Sequence, residues 1–199
     1  MEDQQVKEGM LSPYRILDLT DDKGFFCGKL LGDLGADVIK IEPPGGDPAR
    51  NIGPFYRDIP DPEKSLYWWA YNTSKRGITL NIETSDGRDI LKRLVKTADI
   101  VIESFPPGHM DSVDLGYSAL SEIKPEIIMT SITPFGQTGP YKEFKGPDIV
   151  IWSLGGQTYV TGDEDRPPCR PSFPQSYLHG GSQAAGATLA ALYYREGSG

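Results

Sequence analysis

Four small groups of residues in this chain have the types and spacing to do chemistry. Lys75 and Arg76, inside NTSKRG, form a compact cationic pair just ahead of an apolar run. Such a pair is either a solvated turn or a grip on phosphates, where a guanidinium can hold two oxygens at once. Lys145 and Asp148, inside FKGPDIV, place an ammonium near a carboxylate. They read as a surface ion pair of little energetic weight, or as a substrate-orienting pair at a strand end. His109, after PPG, and His179, near the last helical run, have no second ligand nearby, so zinc or non-haem iron finds little basis. His109 reads as a surface residue or a ligand contact, and His179 as a helix-edge or pocket residue. Cys27 and Cys169 lie far apart without metal or redox spacing, and Cys27 reads as a small core residue. A phosphate-binding GxxxxGK[ST] is absent, as is the G-x-S-x-G elbow of a serine nucleophile.

The elements that must position these groups alternate between strand and helix. Tyr14–Leu19 reads as a strand and Gly24–Leu34 as a helix, with apolar residues at 26, 27, 30, 31 and 34, the spacing of one buried face. Gly35 supplies a stop, and Asp37–Glu42 a second strand. Residues 43–66, rich in Pro, Gly and Asp, read as one long loop, of the kind that often carries function. Thr79–Ile82 is the next candidate strand. Ser85 then caps a helix running to about Lys96, with Ile90, Leu91, Leu94 and Val95 on one face. Asp99–Glu103 is a strand followed directly by SFPPG, Tyr117–Ile123 a short helix, Ile127–Ser131 a strand followed by ITPFGQTGPY, and Gly181–Arg195 an alanine-rich helix. This order implies the α/β class, a Rossmann-like doubly wound and mainly parallel sheet over residues 14–199, behind a polar N-terminal arm at residues 1–13. Ligands of such sheets bind at the carboxyl ends of strands, where Glu42–Arg50, Ser104–Gly108 and Thr133–Gly139 should gather.

A dinucleotide is the obvious ligand for a first β-α-β unit, and Glu42 ends the second strand where a ribose-binding acid would stand. The phosphate turn should read GxGxxG, however, and here it is TDDKGFFCG. Gly24, Gly28 and Gly32 recur every four residues, which suits close helix packing, and Asp21 and Asp22 would face a pyrophosphate. The formal net charge of −8 opposes nucleic-acid binding, which gains its affinity from clustered cations, but leaves a single anionic ligand open. No apolar run approaches the ~20 residues that cross a bilayer. The polar, acidic MEDQQVKEGM lacks the layout of a secretory signal, so a cytoplasmic location and no membrane partner are expected.

Taken together, LLGDLGADVIKIEPPGGDPAR, NTSKRGITLNIET, ADIVIESFPPGHMDSVDLGYSAL, SITPFGQTGPY and LAALYYREGSG resemble the family III CoA-transferases, in that family's order and spacing. This group includes formyl-CoA transferase, carnitine CoA-transferases and α-methylacyl-CoA racemase. The resemblance implies a Rossmann-like large domain with coenzyme A lying across the strand ends as a substrate, and no tightly bound cofactor. The substrates would be an acyl-CoA and a carboxylic acid. Members are about twice this long and form interlocked dimers. The chain is therefore expected to be the N-terminal part of such a protein, without the small domain and returning C-terminal segment. It would pair with an identical chain or with a sister chain.

Position by position, the resemblance implies CoA contacts near Pro43 and Arg50, at Lys75, Arg76 and Leu80, and along Ser104, Phe105, Pro107, Gly108 and His109, with Lys145 as a supporting cation. Departures are equally specific. The Asn and Arg common in the stretch matched by Ser104–Pro106 are missing, and a phosphate-binding Arg falls near Ser112. The aspartate that attacks the acyl-CoA thioester falls on Tyr177, and the histidine of the racemase branch falls on Pro147. A phenol with an ordinary pKa of about 10 stays protonated at neutral pH and cannot form the acyl thioester. Two expectations follow: a non-catalytic subunit paired with a sister that carries the aspartate, or an active chain using Asp148, Tyr177 or His179.

Overall fold

A computed structural model of the chain describes residues 9–198. The first eight residues of the expected N-terminal arm lie outside the described residues; the remainder, 9–13, is a turn whose Leu11 is buried against the sheet.

Five parallel strands form the sheet: β1 (Arg15–Leu19), β2 (Asp37–Glu42), β3 (Lys75–Thr79), β4 (Ile100–Glu103) and β5 (Ile128–Ser131), in the order β3-β2-β1-β4-β5. Helices cover both faces, as parallel sheets require. Side chains alternate along each strand with period two. Leu17, Leu19, Ile39, Ile41 and Val101 point to one face and meet α3 (Ser85–Val95) and α5 (Tyr117–Ile123). Ile16, Val38, Ile100 and Ile102 point to the other and meet α1 (Phe25–Asp33) and α7 (Gln175–Ser198). The remaining helices are α2 (Leu66–Asn72), α4 (His109–Ser112) and α6 (Asp148–Leu154). Among the described residues no helix is long and apolar enough to cross a membrane.

Asp18 and Lys40 are register partners on the α1 face, and both are almost wholly buried. Lys40 Nζ donates to the Thr20 carbonyl and lies 3.6 Å from Asp18 Oδ1. Lys75, from β3, places its ammonium 2.9 Å from Asp18 Oδ2 and donates to the Phe25 carbonyl and Asn72 Oδ1. Burial alone would raise the Asp18 carboxyl, but the two ammonium groups hold it below its ordinary value. Helix α1 closes over this network through glycine. A Cβ at Gly28 would stand 2.3 Å from Asp18 Oδ2, and one at Gly24 2.5 Å from Thr20 Cγ2. The four-residue glycine spacing is thus a packing device, as the sequence implies. Cys27, beside it, is a core residue whose thiol burial pushes up to about 12.

Several boundaries differ from the sequence reading. Lys75 and Arg76 are the first residues of β3, not a turn before it, where Lys75 reaches across β2 to Asp18 of β1 and Arg76 pairs with Asp37 of β2. The cap of α3 is Thr84, whose hydroxyl accepts from Gly87 N, and Ser85 is the first helical residue. The stretch 43–66 contains three short 3₁₀ turns, and α2 follows it from Leu66, capped by Ser65. Helix α7 begins at Gln175 rather than near Gly181, since Asp148 accepts from both Ser176 N (2.9 Å) and Ser176 Oγ (2.6 Å) and anchors an earlier turn.

Asp18→Asn leaves two buried ammonium groups facing no anion, which should lower stability by about 3–5 kcal/mol at neutral pH in urea denaturation. A carboxyl whose folded pKa is depressed contributes stability above its unfolded value and loses it on acidification. The gap between wild type and variant should therefore narrow as pH falls below about 4. A gap that stays constant or widens would show that the carboxylate is not the anchor.

Candidate active site

Strand order reverses on either side of β1: the chain runs outward through β2 and β3, then returns to place β4 on the opposite flank. A crevice is expected outside the carboxyl ends of β1 and β4. It is there. A cleft of about 690 Å³ is lined by Asp21 and Lys23 after β1, Ser104–Pro107 after β4, Pro134, residues 142–147 and Tyr177. Its floor is tied together by Ser104, whose Oγ accepts from Asp21 N (2.8 Å) and donates to Asp21 Oδ1 (2.7 Å). Leu19, Asp21 and Phe105 are shared with a second cavity of about 220 Å³, which continues towards Pro43, Leu80 and the 47–48 turn.

The fold therefore brings Pro43, Leu80, Ser104, Phe105, Pro107, Lys145 and Tyr177 onto one connected groove. His109 adjoins it, its ring stacked on Phe105 at 4.6 Å, with Nε2 3.3 Å from Glu83. Gly108 starts α4 with φ +79° and lines a separate polar pocket of about 270 Å³ with Glu103. The expected cations are placed otherwise. Arg50 grips Glu42 with two hydrogen bonds (2.6 and 2.8 Å) and lies over the Trp68 ring. Arg76 grips Asp37, the first residue of β2, at the opposite end of the sheet from the groove. Lys75 is the buried partner of Asp18.

The three candidate catalytic residues separate as well. Tyr177, in the first turns of α7, lines the cleft. Burial, and next to it the Asp22, Asp148 and Asp21 carboxylates, push its phenol above the ordinary value. Asp148 is 7% exposed, accepts from Ser176 and Arg170 (3.2 Å), and lines none of the cavities described. His179 is exposed on α7, with its ring 6.1 Å from Trp152.

Three acidic groups near the strand ends have carboxyls raised above their ordinary values. Burial raises Asp22, with Asp21 adding to it, and burial likewise raises Asp47 and Glu103. Lys23 and Lys142, which the sequence reading did not single out, stand with Lys145 on the cleft wall. Lys23 pairs with Asp21, and Lys142 lies 3.6 Å from Glu143. The one sequence signal for Lys23 was its place directly after β1, at the switch point.

The model of CoA-transferase family III matches residues 11–199. Over 94% of its length the chain is 36% identical to the succinyl-CoA:(R)-benzylsuccinate CoA-transferase subunit BbsE of Thauera aromatica, covering 46% of that protein. Over 95% it is 40% identical to a formyl-CoA:oxalate CoA-transferase of Streptomyces avermitilis, covering 45% of it, and 39% identical to human succinyl-CoA:glutarate CoA-transferase, covering 43%. Its fold matches the crystal structure of a CaiB/BaiF family protein from Brucella suis, with a TM-score of 0.89 and 37% identity over 96% of this chain and 51% of that one. The chain thus spans about half the length of the relatives it matches.

The raised phenol has a direct readout. In a difference titration of wild type against Tyr177→Phe, the phenolate absorbance of Tyr177 should appear only above the ordinary tyrosine value of about 10. Ionisation at or below that value would contradict the acidic, half-buried setting.

Proposed function

Because the chain belongs to CoA-transferase family III, we propose that it supplies the CoA-binding domain of a protein that moves CoA between carboxylic acids, and that the acyl-accepting carboxylate comes from a partner chain. One observation supports this reading: Tyr177, which the resemblance puts at the position of the family's aspartate, lines the cleft with a phenol rather than a carboxylate. An aspartate would attack the thioester carbonyl, expel the CoA thiolate and form a mixed anhydride. Thiolate re-attack on the aspartyl carbonyl of that anhydride would then release the acid and leave an aspartyl-CoA thioester, which the second acid takes up. A phenol offers no carbonyl for the thiolate to attack, and this one is held in its protonated form. It can donate a hydrogen bond to a thioester oxygen, which orients a bound acyl-CoA without cleaving it.

The groove supports CoA in chemical terms. Leu19, Phe105, Pro107 and Phe144 offer an apolar lining for the pantetheine arm, and Lys142 and Lys145 can meet phosphates at the mouth. The anchored cations Arg50, Lys75 and Arg76 act on the ligand only through the strands and turns they fix. The relative from Thauera aromatica is itself named a subunit, which favours a two-chain arrangement.

Calorimetry with CoA, together with a transfer assay from succinyl-CoA on wild type, Tyr177→Asp and Tyr177→Phe, tests this reading. The native protein should bind CoA in all three forms. Without a partner, wild type and Tyr177→Phe should give no transfer, while Tyr177→Asp gains measurable activity. Absence of CoA binding would remove the proposal. Transfer by wild type alone that disappears in Tyr177→Phe would assign the chemistry to the phenol instead.

A further inference from the structure

Four carboxylates line the second cavity, those of Asp21, Glu42, Asp47 and Glu83, and no basic side chain stands among its lining residues. Three of the four are compensated from outside the cavity or by burial. Arg50 holds Glu42 with two hydrogen bonds, Lys23 pairs with Asp21, and burial pushes the Asp47 carboxyl towards its neutral form. Glu83 is different. Its side chain is 60% exposed, and among the described residues the one basic side chain within ion-pair distance is His109, whose Nε2 lies 3.3 Å from Oε1.

That contact joins two strand ends. Glu83 follows β3, and His109 opens α4 beyond β4. The imidazole is also stacked on Phe105, with ring centroids 4.6 Å apart and planes at 27°, in the range of offset aromatic pairs. Phe105 lines both the main cleft and the second cavity, so the place of its ring sets the passage between them. Its backbone is held separately, since Phe105 N donates to Glu103 Oε2 at 2.7 Å. His109 itself lines none of the cavities described, so it reaches a ligand only through Phe105 and Glu83. Its Nε2 is buried, and Glu83 stands near enough without being aligned as a hydrogen-bond acceptor. A buried ring nitrogen left in that condition costs free energy, and a turn of the exposed Glu83 side chain removes the cost.

We propose that His109 is a positioning residue for the CoA groove: its ring holds Phe105 at the junction of the two cavities, and its Nε2 compensates the one carboxylate there that would otherwise face an anionic ligand alone. The proposal rests on the CoA-binding reading above and adds to it a residue that does not touch the ligand. An uncompensated carboxylate repels phosphates over roughly a Debye length, about 8 Å at physiological salt. A carboxylate that accepts a proton from imidazole repels them less.

Calorimetry with CoA on the native protein tests this, using His109→Phe with and without Glu83→Gln, and His109→Ala in the same two backgrounds. Phenylalanine keeps a ring on Phe105 and loses the N–H. His109→Phe should weaken CoA binding about fivefold while Glu83 is present, the scale of one net hydrogen bond, and by less than about twofold once Glu83→Gln has removed the charge. His109→Ala, which loses the ring as well, should weaken binding further in both backgrounds, and circular dichroism should show each variant folded. If His109→Ala does not fold, the His109→Phe comparison still decides the pairing. CoA binding unchanged in His109→Phe, or the same loss with and without Glu83→Gln, would overturn the coupling to Glu83, because a merely structural histidine gives equal losses. Equal losses in His109→Phe and His109→Ala would overturn the hold on Phe105. Failure of CoA to bind the wild type would overturn the CoA reading itself.

Discussion

One buried carboxylate, Asp18, holds together four elements that would otherwise meet only through apolar contact. Its two oxygens receive Lys40 from β2 and Lys75 from β3, and a glycine at position 28 lets α1 settle directly on top. Desolvating three charges is costly, so the arrangement cannot be read as simple stabilisation. What it does is fix geometry. Lys40 also donates to the carbonyl of Thr20, the residue where β1 turns towards the cleft, so the network sets the floor of the site from beneath. Lys75, Arg50 and Arg76 share that character. Each is a cation the family resemblance assigns to CoA, and each is engaged with a carboxylate of the scaffold.

Above that floor the ligand groove follows from topology. The reversal of strand order at β1 leaves space outside β1 and β4, and Ser104 ties the two strand ends through Asp21. Phe105 then divides the space into an elongated pair of cavities, one towards Pro43 and Leu80 and one towards Tyr177. A long, flexible ligand with an anionic end and a reactive end fits such a groove better than a compact one. Helix α7 closes another side of the cleft with Tyr177. Its first turn is pinned by Asp148 through Ser176, and that pin aims Tyr177 into the cleft.

Much of this was legible in the sequence because the patterns were local. Asp37–Glu42 and Tyr117–Ile123 have the bounds their periodicity gives, Gly35 adopts the positive φ of a helix stop, and three strand-end loops meet on one edge as the alternation demands. What escaped depends on distant partners. Lys75 and Arg76 read as a turn because their carboxylates lie 57 and 39 residues away along the chain (75 − 18; 76 − 37). The start of α7 was placed too late because its anchor, Asp148, belongs to another helix. The same pairing buries Asp148, attractive as a lone acid in a motif, against Ser176 and Arg170, and it lines none of the cavities. Lys23 belongs to no motif, and its place after β1, at the switch point, is its one signal.

The central claim is that an acyl-CoA lies across these strand ends with its thioester at Tyr177. A crystal structure of the protein with a non-hydrolysable acyl-CoA analogue tests it most directly. The account predicts the carbonyl oxygen within hydrogen-bond distance of Tyr177 Oη, the pantetheine arm along Phe105 and Pro107, and the scaffold cations still on Asp18, Glu42 and Asp37. A ligand bound away from the β1–β4 crevice, or a reactive carbonyl turned from Tyr177, would contradict it.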